Sequence, residues 1–324
     1  MLKHVRNLGL RIGEFDSPNF DTKEIAASLD ILHKYFGTDS SSIRPHPNED
    51  IIRDEIRSIA PKIATLADTL IETLESSHSG IFIPKFKLDT FDVETRKFVL
   101  YALTLCMGHP SATDQVDNRI IWDIKARDEL LQPNHIPTYS EHANEAELHT
   151  DTQYHPEPER YLILYFIRQA NCGGGASILR DFNSIKQNMR QSAEGAWAVD
   201  YLEKTNLPFQ VPTSFTSNRR SDSVEVTIAP IFGTFPSIRY RRDTLKRGLQ
   251  ARTEYDTSET RYAVNLLERE LQNTELLVKN TCHSDGFLML NNHEALHGRE
   301  LFTDRDRYAV RIRISNKNIN AGVA

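Results

Sequence analysis

A histidine and an aspartate stand two residues apart in the segment ELHTDTQYHP, at His149 and Asp151. In extended backbone, residues i and i+2 project to the same side, so one imidazole nitrogen and one carboxylate oxygen could reach a single metal ion. That donor pair suits iron, manganese or zinc, and no thiolate is present to demand a softer metal. Much further along, NNHEALHGRELF follows the apolar run Phe287-Leu-Met-Leu290 and offers two more imidazoles, His293 and His297. Either would complete two histidines and one carboxylate on one face of an ion, leaving positions open for substrate and O2. An H-x-D pair alone is common by chance, so the elements that carry it have to be considered.

The chain has 324 residues, enough for a substantial core. Its first third reads helical. One helix is expected over Asp21 to Phe36, and a longer one from Asn48 to about Ser77, where Ile51, Ile52, Ile56, Ile59, Ile63, Leu66 and Leu70 recur at helical spacing. A short strand, GIFIPKF, and a helix opened by Asp92 follow, ending near Gly108-His109-Pro110. From about Ile120 short β-like runs dominate: Arg119 to Ile124, Tyr161 to Ile167, Ala176 to Leu179, Val224 to Ile228, Ser237 to Tyr240, Phe287 to Leu290 and Tyr308 to Ile314. Turn signals such as Gly173-Gly174-Gly175 and Asp285-Gly286 separate several of them. Helical inserts are expected at about 184–204 and 257–273. The expectation is an α+β chain, 1–324, forming one catalytic domain. Its helical N-terminal portion covers about 1–115, and its jelly-roll core, a double-stranded β-helix, covers about 116–316.

These segments resemble the taurine dioxygenase and clavaminate synthase group of iron(II)/2-oxoglutarate oxygenases. That group has H-x-D/E, a Ser or Thr some two dozen residues on, then after a long interval a His, and an Arg shortly beyond. Here His149 and Asp151 are followed by Ser177 in GGGASIL, by His297, and by Arg307 and Arg311. Further likeness lies in HTDTQYHPEPERYLILYFIR, CGGGASILRDF, LHGRELFTD and RYAVRIRI, and in SGIFIPKFKLDTFDVETRKFVLYALTLCMGHP. The resemblance implies an iron(II) site of His149, Asp151 and His297, with 2-oxoglutarate as co-substrate and O2 as oxidant. It also implies hydroxylation of an unactivated C–H bond, with release of succinate and CO2. The intact carboxylate at Asp151 argues against the halogenases of this superfamily, which have a small residue there. Desaturation or cyclisation would need only a different fate for the same substrate radical. A non-catalytic metal-binding or sensor protein on the same fold is the reading from another class.

The distal carboxylate of 2-oxoglutarate needs a cation and a hydroxyl donor, and a planar guanidinium fork with a serine supplies both. The resemblance gives this role to Ser177 and, through the pattern R-x-x-x-R, to Arg307, with Arg311 nearer the substrate. Nine residues separate His297 from Arg307, slightly fewer than the group usually shows, whereas Arg311 falls within the usual spacing. On a strand Arg307, Arg311 and Arg313 would share one face, with Val310, Ile312 and Ile314 on the other. By the same resemblance Tyr139, Ser140 and Glu147, and the region of Arg239 and Arg241, lie where substrate is contacted. This surplus of arginine near an iron site leads to the expectation of a small carboxylate-bearing substrate, a free amino acid above all, with its carboxylate on Arg311 and its amino group on Glu147.

The formal net charge of −6 speaks against a nucleic-acid partner, despite local basic clusters at Arg219-Arg220 and at Arg239, Arg241, Arg242, Lys246 and Arg247. No stretch approaches the roughly 20 apolar residues of a membrane span, and the N-terminus lacks the apolar run of a secretory signal. Three widely spaced cysteines, Cys106, Cys172 and Cys282, make no disulfide framework and fit a reducing compartment. The expected setting is cytoplasmic, with a small-molecule substrate, no membrane partner and an oligomer possible.

Overall fold

Capping residues set the helices of the N-terminal third. In a computed structural model, which describes residues 3–113, 117–126, 139–140, 142–212, 224–233 and 237–315, α1 (Thr22–Phe36) opens where the Asp21 carboxylate accepts from Lys23 N. The long helix expected from Asn48 is two helices, α2 (Glu49–Ile59) and α3 (Pro61–Ser76). The apolar spacing continues across the join, but Pro61 cannot donate to a preceding carbonyl and starts a new helix at its first turn. The Asp92 carboxylate accepts from Thr95 N and starts α4 (Val93–Met107), which is buried along almost its whole length. A hairpin that the sequence reading missed precedes them, β1 (His4–Gly9) and β2 (Ile12–Phe15).

The strands that follow are β3 (Gly80–Ile83), β4 (His109–Ser111), β5 (Trp122–Lys125), β6 (Ala146–His149), β7 (Tyr161–Arg168), β8 (Ser177–Asp181), β9 (Asn206–Gln210), β10 (Val226–Pro230), β11 (Val278–Asn280), β12 (Phe287–Asn291), β13 (Ala295–Arg299) and β14 (Tyr308–Ser315). The major sheet has eight strands in the order β1-β2-β3-β12-β7-β14-β4, with β5 also on β14; the minor sheet is β11-β8-β13-β6. All pairings in these sheets are antiparallel except β2 with β3. Ser237 to Tyr240, expected as a strand, makes a single bridge from Ile238 to Phe232.

Alternation along the central strands explains how two layers can both be dry. On β12, Phe287 and Met289 face the N-terminal helices, while Leu288 and Leu290 face the minor sheet. On β14, Val310, Ile312 and Ile314 join the helical side, and Ala309 joins the interior between the sheets. The far side of the minor sheet is covered by α5 (Phe182–Met189), α6 (Ala193–Lys204), α7 (Arg242–Ala251) and α8 (Ser258–Leu271). The insert expected over 184–204 is thus two helices, broken where Ser192 caps α6 by accepting from Gly195 N. That expected over 257–273 is α8, and α7 was not foreseen. Arg219-Arg220 and the end of the chain after Ser315 lie outside the described residues. No helix among the described residues is long and apolar enough to cross a membrane.

Candidate active site

The minor sheet carries the chemistry. Strand β13 lies between β8 and β6, with His297 opposite both His149 and Leu179, and Arg299 opposite both Ser177 and Ala146. Gly298 between them is required by packing, because a Cβ there would sit 2.6 Å from the Ala146 carbonyl oxygen. His149 ends β6, and its Nδ1 lies 2.8 Å from Glu147 O, which leaves Nε2 facing the interior. Asp151 arrives from a turn rather than from a continuing strand. Thr152 turns the chain with φ +50°, and Asn292 grips the turn from across the site. Asn292 Oδ1 accepts from Asp151 N at 2.9 Å, and its Nδ2 donates to Asp151 O and Glu159 O.

The ligand atoms of His149, Asp151 and His297 all lie within 4.8 Å of one another, and all three residues are buried. Asp151 Oδ1 is 3.5 Å from His149 Nε2 and 3.7 Å from His297 Nε2. These gaps are too long for hydrogen bonds but can be spanned by one ion bound at ~2.1 Å from each donor. Burial, and then the neighbouring His149, push the His297 imidazolium down to about 3, so the ring is neutral. Burial alone would raise the Asp151 carboxyl, but Arg311, with Nη1 3.0 Å from Oδ2, pulls it well below the usual range. A neutral imidazole beside an ionised carboxylate is the state a divalent cation needs, so the residues fit iron(II). His293, the competing imidazole, points elsewhere, with its Nε2 2.9 Å from Pro158 O.

A cleft opens beside these residues, lined among others by Tyr139, Ser140, Ser177, Arg299, Arg307 and Arg311. Arg307 precedes β14 and is 4 % exposed. Its guanidinium lies 5.4 Å from the Phe166 ring centroid and 5.3 Å from that of Phe302, with no hydrogen bond or ion pair among the described residues. Burial lowers it to about 10. Gly175, at φ +76°, lets the glycine turn pass against it, since a Cβ there would stand 3.2 Å from Arg307 Cδ. Ser177 Oγ at the same end is 3.5 Å from Cys282 Sγ.

Not every expected residue reaches the cleft. Between Ala146 and His149 the register with β13 shifts, and this irregularity turns the Glu147 side chain outward, where it pairs with Arg242 at 3.1 Å. Arg239 donates to the carbonyl oxygens of Gln153, His155 and Pro156, away from the site. Arg241 pairs with Asp243 at 2.7 Å and lies 4.3 Å over the Tyr139 ring, so it backs the cleft wall instead of lining it. Arg313 is 3 % exposed, bonding Thr113 O and facing Glu159.

The taurine catabolism dioxygenase TauD, TfdA family model matches residues 45–313. The chain belongs to this dioxygenase family. No curated protein sequence matches it. Its fold is that of solved family-like oxygenases. An asparagine oxygenase in complex with Fe(II), 2S,3S-3-hydroxyasparagine and succinate aligns with TM-score 0.66 at 16 % identity over 93 % of each chain. The non-haem iron oxygenase OrfP in complex with Fe and alpha-ketoglutaric acid aligns with TM-score 0.63 at 18 % identity, over 93 % of this chain and 94 % of that one. This TauD/TfdA dioxygenase therefore uses iron(II) and 2-oxoglutarate. Of the residues around its cleft, sequence reasoning missed Arg299, Phe166, Phe302, Cys282 and Asn292. Arg299 was within reach, being two residues beyond His297 on one strand and so on the same face.

Proposed function

We propose that this dioxygenase hydroxylates an unactivated C–H bond of a small carboxylate-bearing molecule, a free amino acid in the simplest case. His149, Asp151 and His297 hold iron(II), Arg307 and Ser177 hold the distal carboxylate of 2-oxoglutarate, and Arg311 takes the carboxylate of the substrate. With both bound, decarboxylation of 2-oxoglutarate to succinate and CO2 is coupled to hydroxylation, the two atoms of O2 going to succinate and product. The chain's own part is to fix, orient and exclude water.

The observation that carries this reading is the state of Arg307 and Arg311, which line one cleft together with Arg299. Arg307 is buried without a counter-charge among the described residues, a costly state that a bound carboxylate relieves. Arg311 leans on Asp151 through Nη1, yet its Nε is buried with no hydrogen-bond partner. That free donor suits a second anion. The amino acids bound in the similar structures, 3-hydroxyasparagine in the asparagine oxygenase and L-Arg in OrfP, support the same substrate class. The cleft lining offers the hydroxyls of Tyr139 and Ser140 to an amino group, while Glu147 pairs with Arg242 outside it.

The test is a screen of free amino acids and dicarboxylates, read as substrate-dependent succinate formation. The best substrate is then compared with its methyl ester. Turnover should fall sharply on esterification; equal turnover of acid and ester, or activity confined to neutral hydrophobic compounds, defeats the proposal.

A further inference from the structure

Arg299 is a buried cation, 7 % exposed, with no acidic partner among the described residues. Its guanidinium is spent on main chain. Nη1 donates to Tyr139 O at 2.9 Å, and Nη2 donates to His142 O at 2.8 Å and to Asn144 O at 2.6 Å. The Phe302 ring centroid lies 4.8 Å from it, and Phe302 N donates to Ala143 O at 3.1 Å. Filling this space with an apolar side chain would be cheaper than desolvating a charge, so packing alone does not account for an arginine. Of the residues whose carbonyls it gathers, Tyr139 lines the cleft, and His142 and Asn144 lie on the segment that follows it toward Ala146, another lining residue. Tyr139 packs edge-on against the metal-site imidazole of His149 at 5.0 Å, and Ser140 is buried beside it.

We propose that Arg299 is a positioning residue for the substrate side of the cleft, stapling the main chain at Tyr139, His142 and Asn144 to the strand that carries His297. It rests on the reading that Tyr139 and Ser140 meet the substrate. The guanidinium is suited to the task because its donors diverge in one plane and reach three carbonyls at once. A lysine gathers its three donors on one nitrogen and cannot spread them across that span.

The experiment compares Arg299→Gln and Arg299→Lys with the wild-type chain. Cleavage by a protease that cuts after glutamate is followed at the exposed Glu145, just beyond the staple. Loss of three hydrogen bonds should speed cleavage there at least about tenfold in the glutamine variant, with lysine in between. Cleavage at other glutamates and the thermal midpoint should stay near wild type. Unchanged cutting at Glu145, or equal acceleration at glutamates throughout, overturns the staple. L-asparagine and L-arginine serve as trial substrates for steady-state kinetics, with Tyr139→Ala as the reference. Arg299→Gln should raise KM more than it lowers kcat. A KM unmoved by Tyr139→Ala would overturn the reading that this wall meets substrate. A KM moved by Tyr139→Ala and not by Arg299→Gln would overturn the staple. If neither amino acid is turned over, the cleavage comparison decides alone.

Discussion

Two arginines four residues apart have different surroundings, and the roles proposed for them follow from that difference. Arg307 lies between two aromatic rings with no anion beside it among the described residues, whereas Arg311 rests against the carboxylate of Asp151. Removing Arg307 strips a charge-assisted fork from a desolvated carboxylate, a loss of about 2–4 kcal/mol. Arg307→Ala should therefore weaken 2-oxoglutarate binding by roughly 30- to 700-fold, measured without oxygen by titrating the visible charge-transfer band of the iron(II) complex. Arg311→Ala should disturb 2-oxoglutarate far less and act on the affinity of the second substrate; the reverse order would transfer the first role to Arg311. Residue type and spacing made it legible that His149, Asp151 and His297 gather and that both arginines stand beside them in the cleft, because such residue types are chemically specific. They could not show that Glu147 turns away, since that depends on a shift of register between β6 and β13 which leaves no mark in local sequence. Nor could they show Arg239 bonding carbonyl oxygens, because its partners lie more than eighty residues away.

At the scale of elements, the turn that delivers Asp151 is backed by a buried ion pair. Glu159 accepts from Ser111 Oγ at 2.8 Å and from Thr152 Oγ1, and Arg313 Nε stands 3.8 Å from its carboxylate. Burial would raise the Glu159 carboxyl, but Arg313 and the two hydroxyls bring it below its usual value. A carboxyl with a depressed folded value contributes stability above its unfolded pKa of ~4.3 and loses it as pH falls through the folded value. Arg313→Met should reverse that sign. Glu159 would then be a buried charge without its partner, costing about 3–5 kcal/mol in urea unfolding at neutral pH. Burial would raise its folded pKa, so the cost should shrink as pH falls toward ~4.3, where the group can take a proton. The double variant Arg313→Met, Glu159→Gln should be milder than the single at pH 7, and equal costs at both pH values would refute the account. Most of these elements were legible as runs of the right period. The break at Pro61, the β1–β2 hairpin and α7 were not, because continuous apolar spacing masks a helix join and short elements owe their form to tertiary pairing.

Across the whole molecule, the two ligand sites tie different parts together. His149 and His297 sit on neighbouring strands of the minor sheet and Asp151 on the turn after β6, so a metal ion braces that sheet and the turn leaving it. 2-Oxoglutarate between Ser177 on β8 and Arg307 at the entry to β14 would join the minor sheet to the major one. A ligand that binds the folded chain stabilises it in proportion to its saturation, by about 2.7 kcal/mol at one hundred times its Kd. For a chain of this size that is a rise of several degrees in Tm. Manganese(II), bound by the same donors but used here without turnover, should raise Tm on its own, and 2-oxoglutarate should add a second rise that needs the metal because its keto-acid end chelates the ion. His297→Ala should abolish both rises and His293→Ala neither. Arg307→Ala should keep the first and lose the second. A second rise that survives in Arg307→Ala would mean that the co-substrate does not bridge the sheets through this arginine, and a first rise lost in His293→Ala would move the distal ligand to that residue.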